Sequence, residues 1–222
     1  GMSMRYPDTF TRELVPLDPH GLSAAGQRAL GQLHIEGFEV EVGLRRQDVA
    51  DITEIAGQEW VREFCPNDLD KRFGDEQMVE AWLAKNGGRG VFLLRHVGER
   101  ALAGYGWTGA EATPELPDCE TTFAVRLNEQ YAGNGLGTPF TTAIVSGSMA
   151  VFGACRTSLE TWASNASAIR TYTRVGAQLV TTRDDRRPTL RPAPNETDGM
   201  RRDVRLFMVF PQTFFRMPRH TR

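Results

Sequence analysis

The stretch from Tyr131 to Pro139 has a residue spacing that is suited to holding an anion. It reads Tyr-Ala-Gly-Asn-Gly-Leu-Gly-Thr-Pro, with glycines at positions 133, 135 and 137. Alternating glycines let the backbone turn sharply and leave amide N–H groups uncovered by side chains. A helix is predicted to follow at once, and its N-terminus adds a partial charge of about +0.5. The turn is therefore predicted to bind an anionic oxygen group such as a phosphate.

Two common phosphate-binding motifs do not fit this turn. The Gly-Lys-Ser/Thr of a Walker P-loop does not follow it. The dinucleotide-binding fingerprint requires a third glycine at position 138, where Thr138 stands. The remaining alternative to anion binding is a tight strand-to-helix turn that binds nothing.

A second segment, Leu159–Ala177, places two polar side chains on one side of a predicted helix. Asn165 ends a predicted strand and opens the helix, and Tyr172 follows seven residues later. At about 100° per residue, Tyr172 returns to nearly the same side of the helix as Asn165. The alternative interpretation of Tyr172 is a buried ring whose hydroxyl group is satisfied locally.

Hydrophobic periodicity predicts the elements that must position these two segments. Helical spacing is found over Asp48–Trp60, Asp75–Lys85, Gly137–Phe152 and Ser167–Val175. The polar segment Arg183–Asp203 is longer than most connections and is predicted to be a mobile loop. Strand patterns are found over Phe38–Leu44, Gly90–Val97, Ala101–Trp107, Cys119–Leu127, Ser158–Ala163, Gln178–Thr182 and Val204–Phe210.

This order of elements predicts a single α/β domain with a mixed sheet. The predicted division is an N-terminal extension over residues 1–36, the domain over residues 37–216 and a short tail over residues 217–222. With 222 residues, 40% of them hydrophobic, the chain can bury a full core.

Composition narrows the function classes. A formal net charge of −2 gives no basis for a nucleic-acid or membrane-surface partner, and no apolar stretch approaches the roughly 20 residues that a bilayer requires. Three cysteines without a pairing pattern are typical of a reducing cytoplasm. Four dispersed histidines lack metal-ligand spacing, so no metal site is predicted.

Together the two segments resemble the GCN5-related N-acetyltransferase (GNAT) superfamily. The turn from Ala132 to Gly137 is similar to the family's Arg/Gln-x-x-Gly-x-Gly/Ala signature, with Ala132 in place of the usual Arg or Gln. The second segment is similar to Asn-x-x-Ala-x-x-x-Tyr-x-x-x-Gly-Phe, with Ala177 in place of the Phe. Four residues of that second signature match in register: Asn165, Ala168, Tyr172 and Gly176.

The resemblance implies a fold and a cofactor. The fold is a mixed, mostly antiparallel sheet with splayed central strands, flanked by helices. The cofactor is acetyl-CoA, used as a co-substrate, whose pantetheine arm lies between the splayed strands. The implied coenzyme-binding residues are Val125, Leu127, Ala132, Gly133, Asn134, Gly135, Leu136, Gly137, Thr138, Asn165, Ala168 and Tyr172.

The resemblance also implies a reaction, the transfer of an acetyl group to a primary amine of a small molecule or peptide. In this family a tyrosine at the position of Tyr172 protonates the departing thiolate. Glu160 lies in a Leu-Glu-Thr-Trp-Ala-Ser-Asn stretch that is similar to that of the ribosomal-protein N-terminal alanine acetyltransferases, where the Glu is the base. Glu120 is the competing base, although Cys119 occupies the place of the histone-type Glu, and Glu120 then faces the other side of the sheet unless a bulge intervenes. A water chain with neither residue is the third alternative.

Three points stay open at the level of sequence. A non-catalytic acyl-CoA-binding module and a transferase for a larger acyl group are alternatives to the acetyltransferase. The acceptor is unassigned, because acidic residues over positions 68–76 that could attract a cationic amine are mixed with Lys71 and Arg72, as in a solvated face. A homodimer contact through Phe214 and Phe215 is a further hypothesis, based only on their apolar character.

Overall fold

The computed structural model describes residues 35–85, 90–110, 113–119, 121–152 and 156–210. Three predictions lie wholly or mainly outside these residues. They are the N-terminal extension, the role of Glu120, and the contact through Phe214 and Phe215 together with the C-terminal tail.

Seven strands and five helices make up the described part of the chain, together with short 3₁₀ and π turns. The strands are β1 (Phe38–Val42), β2 (Gly90–His96), β3 (Leu102–Ala110), β4 (Thr121–Leu127), β5 (Thr157–Trp162), β6 (Gln178–Pro188) and β7 (Met200–Phe210). The helices are α1 (Val49–Ala56), α2 (Glu59–Phe64), α3 (Glu76–Lys85), α4 (Gly137–Phe152) and α5 (Ala166–Val175).

The strands form one sheet in the order β1-β2-β3-β4-β5-β7-β6. All neighbours are antiparallel except β4 and β5, which run parallel and pair only at Thr121 with Thr157 and at Thr122 with Ser158. Beyond these two pairs β4 and β5 are no longer paired. The predicted fold, a mostly antiparallel sheet with splayed central strands, is thereby confirmed.

The two faces of the sheet carry separate helical layers. Helices α4 and α5 cover one face over a core that includes Phe92, Phe140 and Ile144. Helices α1, α2 and α3 contribute to a second core that includes Trp82 and Trp107. The splayed strands therefore open between two helical layers, so that a ligand between them can be approached from either face.

The predicted helix over Asp48–Trp60 is wrong as a single element. A 3₁₀ turn at Arg46–Asp48, helix α1 and helix α2 replace it, and the break falls at Gly57 and Gln58. Glycine has low helix propensity, and Gln58 is extended at φ −67° and ψ 147°. The side-chain amide of Gln58 donates to Asn128 Oδ1 at 2.9 Å, so a tertiary contact fixes the break.

The predicted mobile loop over Arg183–Asp203 is also wrong over about half of its length. Strand β6 continues to Pro188 and β7 begins at Met200, which leaves only residues 189–199 as the connection. Arg187, only 1% exposed, donates to Glu63 Oε1 at 2.7 Å and to Asp203 Oδ2 at 2.8 Å. These buried ion pairs hold a polar hairpin against α2, which local polarity does not reveal.

The two carboxylates around Arg187 are kept ionised by their hydrogen bonds. Partial burial opposes their charge, but hydrogen bonds from Thr189 and Arg187 lower the pKa of Glu63 below its ordinary value. Burial is likewise outweighed at Asp203, where hydrogen bonds from Arg187 and Ser164 lower the pKa. Both groups are therefore charged at neutral pH and pair with Arg187.

Candidate active site

A cleft of about 1180 Å³ opens where β4 and β5 separate. Its walls are Phe123–Leu127 of β4 and Leu159–Trp162 of β5. The glycine turn and helix α5 line it from one face of the sheet, whereas residues of α2 and α3 line it from the other. The cleft thus joins the two predicted motifs in one space.

The glycine turn presents a group of free backbone donors. Gly133 and Gly135 have φ values of 85° and 67°, a region that residues with a side chain rarely adopt. Asn134 donates its amide to the Tyr131 carbonyl at 3.3 Å. No hydrogen-bond acceptor in the described part of the chain is found for the amides of Gly133, Gly135, Leu136, Gly137 and Thr138.

Gly137 lies at a position where packing leaves little room for a side chain. A Cβ atom at this position would lie 3.1 Å from Thr171 Oγ1 and 3.2 Å from Thr171 Cγ2. The N-terminus of α4 is therefore close to α5, and a side chain at Gly137 would require the Thr171 side chain to shift by a few tenths of an ångström. The third glycine of the motif thus permits close contact between the two helices.

Thr141 adds an unsatisfied hydroxyl group to this end of the cleft. The residue is fully buried and lines the cleft one turn into α4, and its Oγ1 has no hydrogen-bond partner among the described residues. The hydroxyl of its neighbour Thr142 instead donates to the Thr138 carbonyl at 2.8 Å. Because buried polar groups are rarely left unpaired, the Thr141 hydroxyl indicates a polar ligand group nearby.

Helix α5 brings Asn165, Ala168 and Tyr172 to the cleft. The Asn165 side chain caps the helix by accepting from the Ala168 amide at 3.3 Å. Tyr172 is 9% exposed and packs edge-on against Phe123, with ring centroids 5.6 Å apart. Its hydroxyl has no hydrogen-bond partner in the described ranges, so the alternative of a locally satisfied hydroxyl is wrong.

The environment of Tyr172 keeps its hydroxyl protonated. Burial raises the pKa of Tyr172 to about 12, and the nearby Arg126 only partly offsets this effect. The group is therefore neutral throughout the physiological range and can donate a proton or a hydrogen bond.

The candidate bases have different surroundings. Glu160 lines the cleft from β5, is partly exposed, and accepts a hydrogen bond from Arg205 Nε at 3.3 Å. Cys119 is buried in a small cluster with Leu116, Phe207 and Val209 and does not line the cleft. Glu160 is thus the candidate base whose position the structure describes.

A buried charge cluster lies on the α1–α3 side of the cleft. Asp68 is 0% exposed and accepts hydrogen bonds from Tyr105 Oη at 2.6 Å, Arg126 Nε at 2.8 Å and an Arg72 terminal nitrogen at 3.0 Å. The guanidinium groups of Arg72 and Arg126 lie 5.3 and 5.2 Å from the Trp107 ring centroid. One carboxylate therefore holds two cations beside the cleft.

Most of the predicted site residues meet in this one cleft. Asn134 and Thr138 belong to the glycine turn but lie outside the cleft lining. Sequence reasoning missed Thr141 and Arg126, because nothing in their local sequence distinguishes them from ordinary helix or strand positions. It considered Asp68 only as a residue that could attract a cationic amine, whereas Asp68 is the buried partner of Arg72 and Arg126. The predicted residues that line the cleft are Val125, Leu127, Ala132, Gly133, Gly135, Leu136, Gly137, Glu160, Asn165, Ala168 and Tyr172.

Other kinds of site find no support in the described residues. Helices long and apolar enough to cross a membrane are not found there. Clusters of three or more potential metal-ligating side chains are not found there either.

Comparison with known proteins agrees with this architecture. The acetyltransferase (GNAT) domain family matches residues 42–178. Spermidine N-acetyltransferase from Vibrio cholerae, solved with CoA and spermine, has a TM-score of 0.63 at 13% identity, covering 82% of this chain and 99% of its own. A putative acetyltransferase from Salmonella typhimurium, solved with acetyl-CoA, has a TM-score of 0.56 at 18% identity, covering 80% of this chain and 95% of its own. None of the curated proteins matches the sequence significantly.

The chain therefore belongs to the GNAT family of acetyltransferases, because the family match covers more than half of its length. It is an acetyl-CoA-dependent N-acetyltransferase, and the predicted class of enzyme and co-substrate is confirmed.

Proposed function

We propose that this protein transfers the acetyl group of acetyl-CoA to a primary amine of a small molecule or peptide by direct attack. The observation that carries the proposal is that the free amides of the glycine turn and the free hydroxyl of Tyr172 line one cleft. The spermidine and spermine named for the Vibrio cholerae structure are amines, which agrees with this class of acceptor.

The described residues fit the coenzyme at both ends of the cleft. Free amides at the glycine turn suit the diphosphate, and the Thr141 hydroxyl supplies a further donor. Beyond Thr122 the edge of β4 is not paired with β5, so backbone groups near Val125 and Leu127 can bond an extended pantetheine arm. Acetyl-CoA supplies the activated thioester when bound.

Tyr172 is the proposed acid. As the amine nitrogen bonds to the acetyl carbon, the carbon–sulfur bond breaks and the sulfur takes the proton of the Tyr172 hydroxyl. A pKa of about 12 suits this role, because the group is fully protonated beforehand and has no competing hydrogen bond in the described residues. The phenolate then regains a proton that the acceptor amine has lost.

Glu160 is the proposed base, since a protonated ammonium group cannot attack. Changing Glu160 to Gln is expected to lower kcat at pH 7 about 100-fold, with recovery at higher pH as the free amine loses its own proton. The pH dependence of CoA release measures this effect.

The control for this variant is Glu115→Gln, which removes a carboxylate that pairs with Arg183 and does not line the cleft. Its rate should equal that of the wild type. If Glu160→Gln also keeps the wild-type rate and pH profile, deprotonation proceeds through water and Glu160 is not the base.

The proposal as a whole is tested by ligand binding and turnover. At a concentration 100 times its Kd, acetyl-CoA is expected to stabilise the fold by about 2.7 kcal/mol, which raises Tm by about 5–10 °C. Differential scanning fluorimetry measures the shift, and CoA release with an amine panel measures the reaction. No shift would contradict the proposal, whereas a shift without CoA release from any amine would indicate a binding module.

A further inference from the structure

The half of the cleft on the α1–α3 side has an unusual composition. All four tryptophans of the chain line the cleft, at positions 60, 82, 107 and 162. Both lysines of the chain, Lys71 and Lys85, line it as well. Two residue types that are rare in this sequence are thus found around one cavity, where Trp82 and Trp107 are also buried members of the core.

The charge of this half is positive. Five cationic side chains line the cleft, namely Lys71, Arg72, Lys85, Arg126 and Arg205. Two carboxylates, Glu129 and Glu160, also line the cleft, and Glu160 is paired with Arg205. Asp68, which lies outside the lining, is shared between Arg72 and Arg126. Among the described residues Lys71 and Lys85 have no ion-pair partner. An excess of positive charge therefore faces the space where the acceptor must enter.

The acidic residues of positions 68–76, which could have attracted a cationic amine, do not line the cleft. Asp68 is buried under its two arginines, Glu76 accepts from Arg46 at 2.9 Å, and Asp75 accepts from the Met78 amide at 2.8 Å. None of them lines the cleft, and neither does Asp70. In the folded chain, Lys71 and Arg72 of this segment therefore line the cleft, whereas the carboxylates of residues 68–76 do not.

These cations lie apart from the coenzyme's diphosphate. Lys71 belongs to the turn at Asp68–Arg72, and Lys85 ends α3, and both elements pack on the α1–α3 face. The glycine turn, through Leu136, packs on the opposite face. The two lysines are therefore placed to meet the acceptor rather than the diphosphate.

The tryptophans give this half flat walls. Guanidinium groups stack on two of them, with Arg205 lying 4.5 Å from the Trp162 ring centroid and Arg126 lying 5.2 Å from that of Trp107. Aromatic rings and guanidinium groups that border the same cleft suit a ligand with an aromatic ring next to a carboxylate. A like-charged polyamine would instead be repelled.

We propose that the acceptor is a small amine that carries a carboxylate beside an aromatic ring, as an aromatic amino acid does. The inference rests on the proposed acetyl transfer. Surrounding cations also lower the pKa of a bound ammonium group, which favours the neutral amine that attacks.

The test compares L-phenylalanine, L-phenylalaninamide and spermidine as acceptors in a CoA-release assay at pH 8. The amide lacks only the carboxylate charge, and its amine loses a proton more readily, so amine basicity alone favours the amide. We expect kcat/KM to be about tenfold higher for phenylalanine than for the amide, with spermidine lowest, and the preference to shrink in 0.5 M NaCl.

The double variant Lys71→Ala/Lys85→Ala is expected to lower the ratio of phenylalanine to amide by about three- to tenfold. The double variant Arg62→Ala/Arg202→Ala removes the same charge from exposed positions outside the cleft and should keep the wild-type ratio. Because every tryptophan lines the cleft, a change in intrinsic fluorescence when phenylalanine is added at saturating CoA reports its binding.

Four outcomes overturn the inference. The first two are a higher kcat/KM for the amide or spermidine than for phenylalanine, and no turnover of phenylalanine at all. The third is a ratio of phenylalanine to amide kcat/KM that the lysine variant leaves unchanged. The fourth is loss of acetyl-CoA affinity in that variant, which would assign the lysines to the coenzyme. The acetyl-CoA thermal shift is measured on the same samples. Absence of the shift in the wild type would refute the proposed function itself. If the shift is present and the acceptor test fails, only the proposed acceptor is wrong.

Discussion

Replacing Tyr172 with phenylalanine is expected to lower kcat about 100-fold or more while leaving the Kd for acetyl-CoA nearly unchanged. The variant keeps the ring that packs against Phe123 and removes only a hydroxyl without a hydrogen-bond partner in the described residues, so the fold should tolerate it. Steady-state CoA release gives kcat, and calorimetric titration gives the Kd.

The matched control is Tyr131→Phe, since the Tyr131 hydroxyl donates to Glu99 at 3.0 Å. Its kcat should lie within about twofold of the wild type, because the Tyr131 hydroxyl is engaged by Glu99 and is not free to donate a proton to the ligand. If Tyr172→Phe is as active as this control, the proton reaches the sulfur from another source and Tyr172 is not the acid.

The pH profile provides a second test of the same role. The active form of an acid is the protonated form, and it is lost only as the pH rises through the pKa of about 12. Between pH 7 and 10 the rate should therefore not decline through Tyr172. A fall centred near the ordinary tyrosine value of 10 would show that the catalytic phenol is not in the buried environment described above.

Replacing Asp68 with asparagine is expected to destabilise the fold by about 3 kcal/mol or more. The carboxylate is fully buried and holds Arg72 and Arg126, so its loss leaves guanidinium charge without compensation in the interior. The buried Tyr105 hydroxyl also loses its charged acceptor. Urea denaturation monitored by circular dichroism measures the change in free energy of unfolding.

Asp70→Asn is the control for this variant. Asp70 is exposed and lies two residues away, and its substitution removes the same charge. The free energy of unfolding should therefore change by no more than about 0.5 kcal/mol. Equal stability of the two variants would mean that the buried cluster contributes no more than a surface carboxylate.

The motifs of this enzyme could be predicted from the sequence because they depend on local geometry. The alternating glycines at 133, 135 and 137 mark a turn that other residues rarely form, and the seven-residue spacing of Asn165 and Tyr172 fixes their common side on a helix. The turn conformation and the helical spacing both depend on residues that are close in the chain, so a short stretch of sequence is enough to predict them.

The prediction failed where distant contacts override local preference. Gln58 is held extended by Asn128, 70 positions away, and this contact divides a helix that periodicity alone continues. Arg187 is buried against Glu63, 124 positions away, and orders a hairpin whose polar residues are typical of a loop. No window of sequence contains both partners of such a contact.

By itself, the sequence determined the α/β class, the glycine turn and the Asn–Tyr pair on one helix, since backbone constraints and helical periodicity act within a few residues. Only the tertiary structure decided that Thr141 faces the cleft unpaired, that Asp68 lies buried beneath Arg126, and that both lysines and all four tryptophans share one cavity. The reason is physical. Burial and pairing depend on which distant surfaces the sheet brings together, and the same charged residue is solvated in one packing and functional in another.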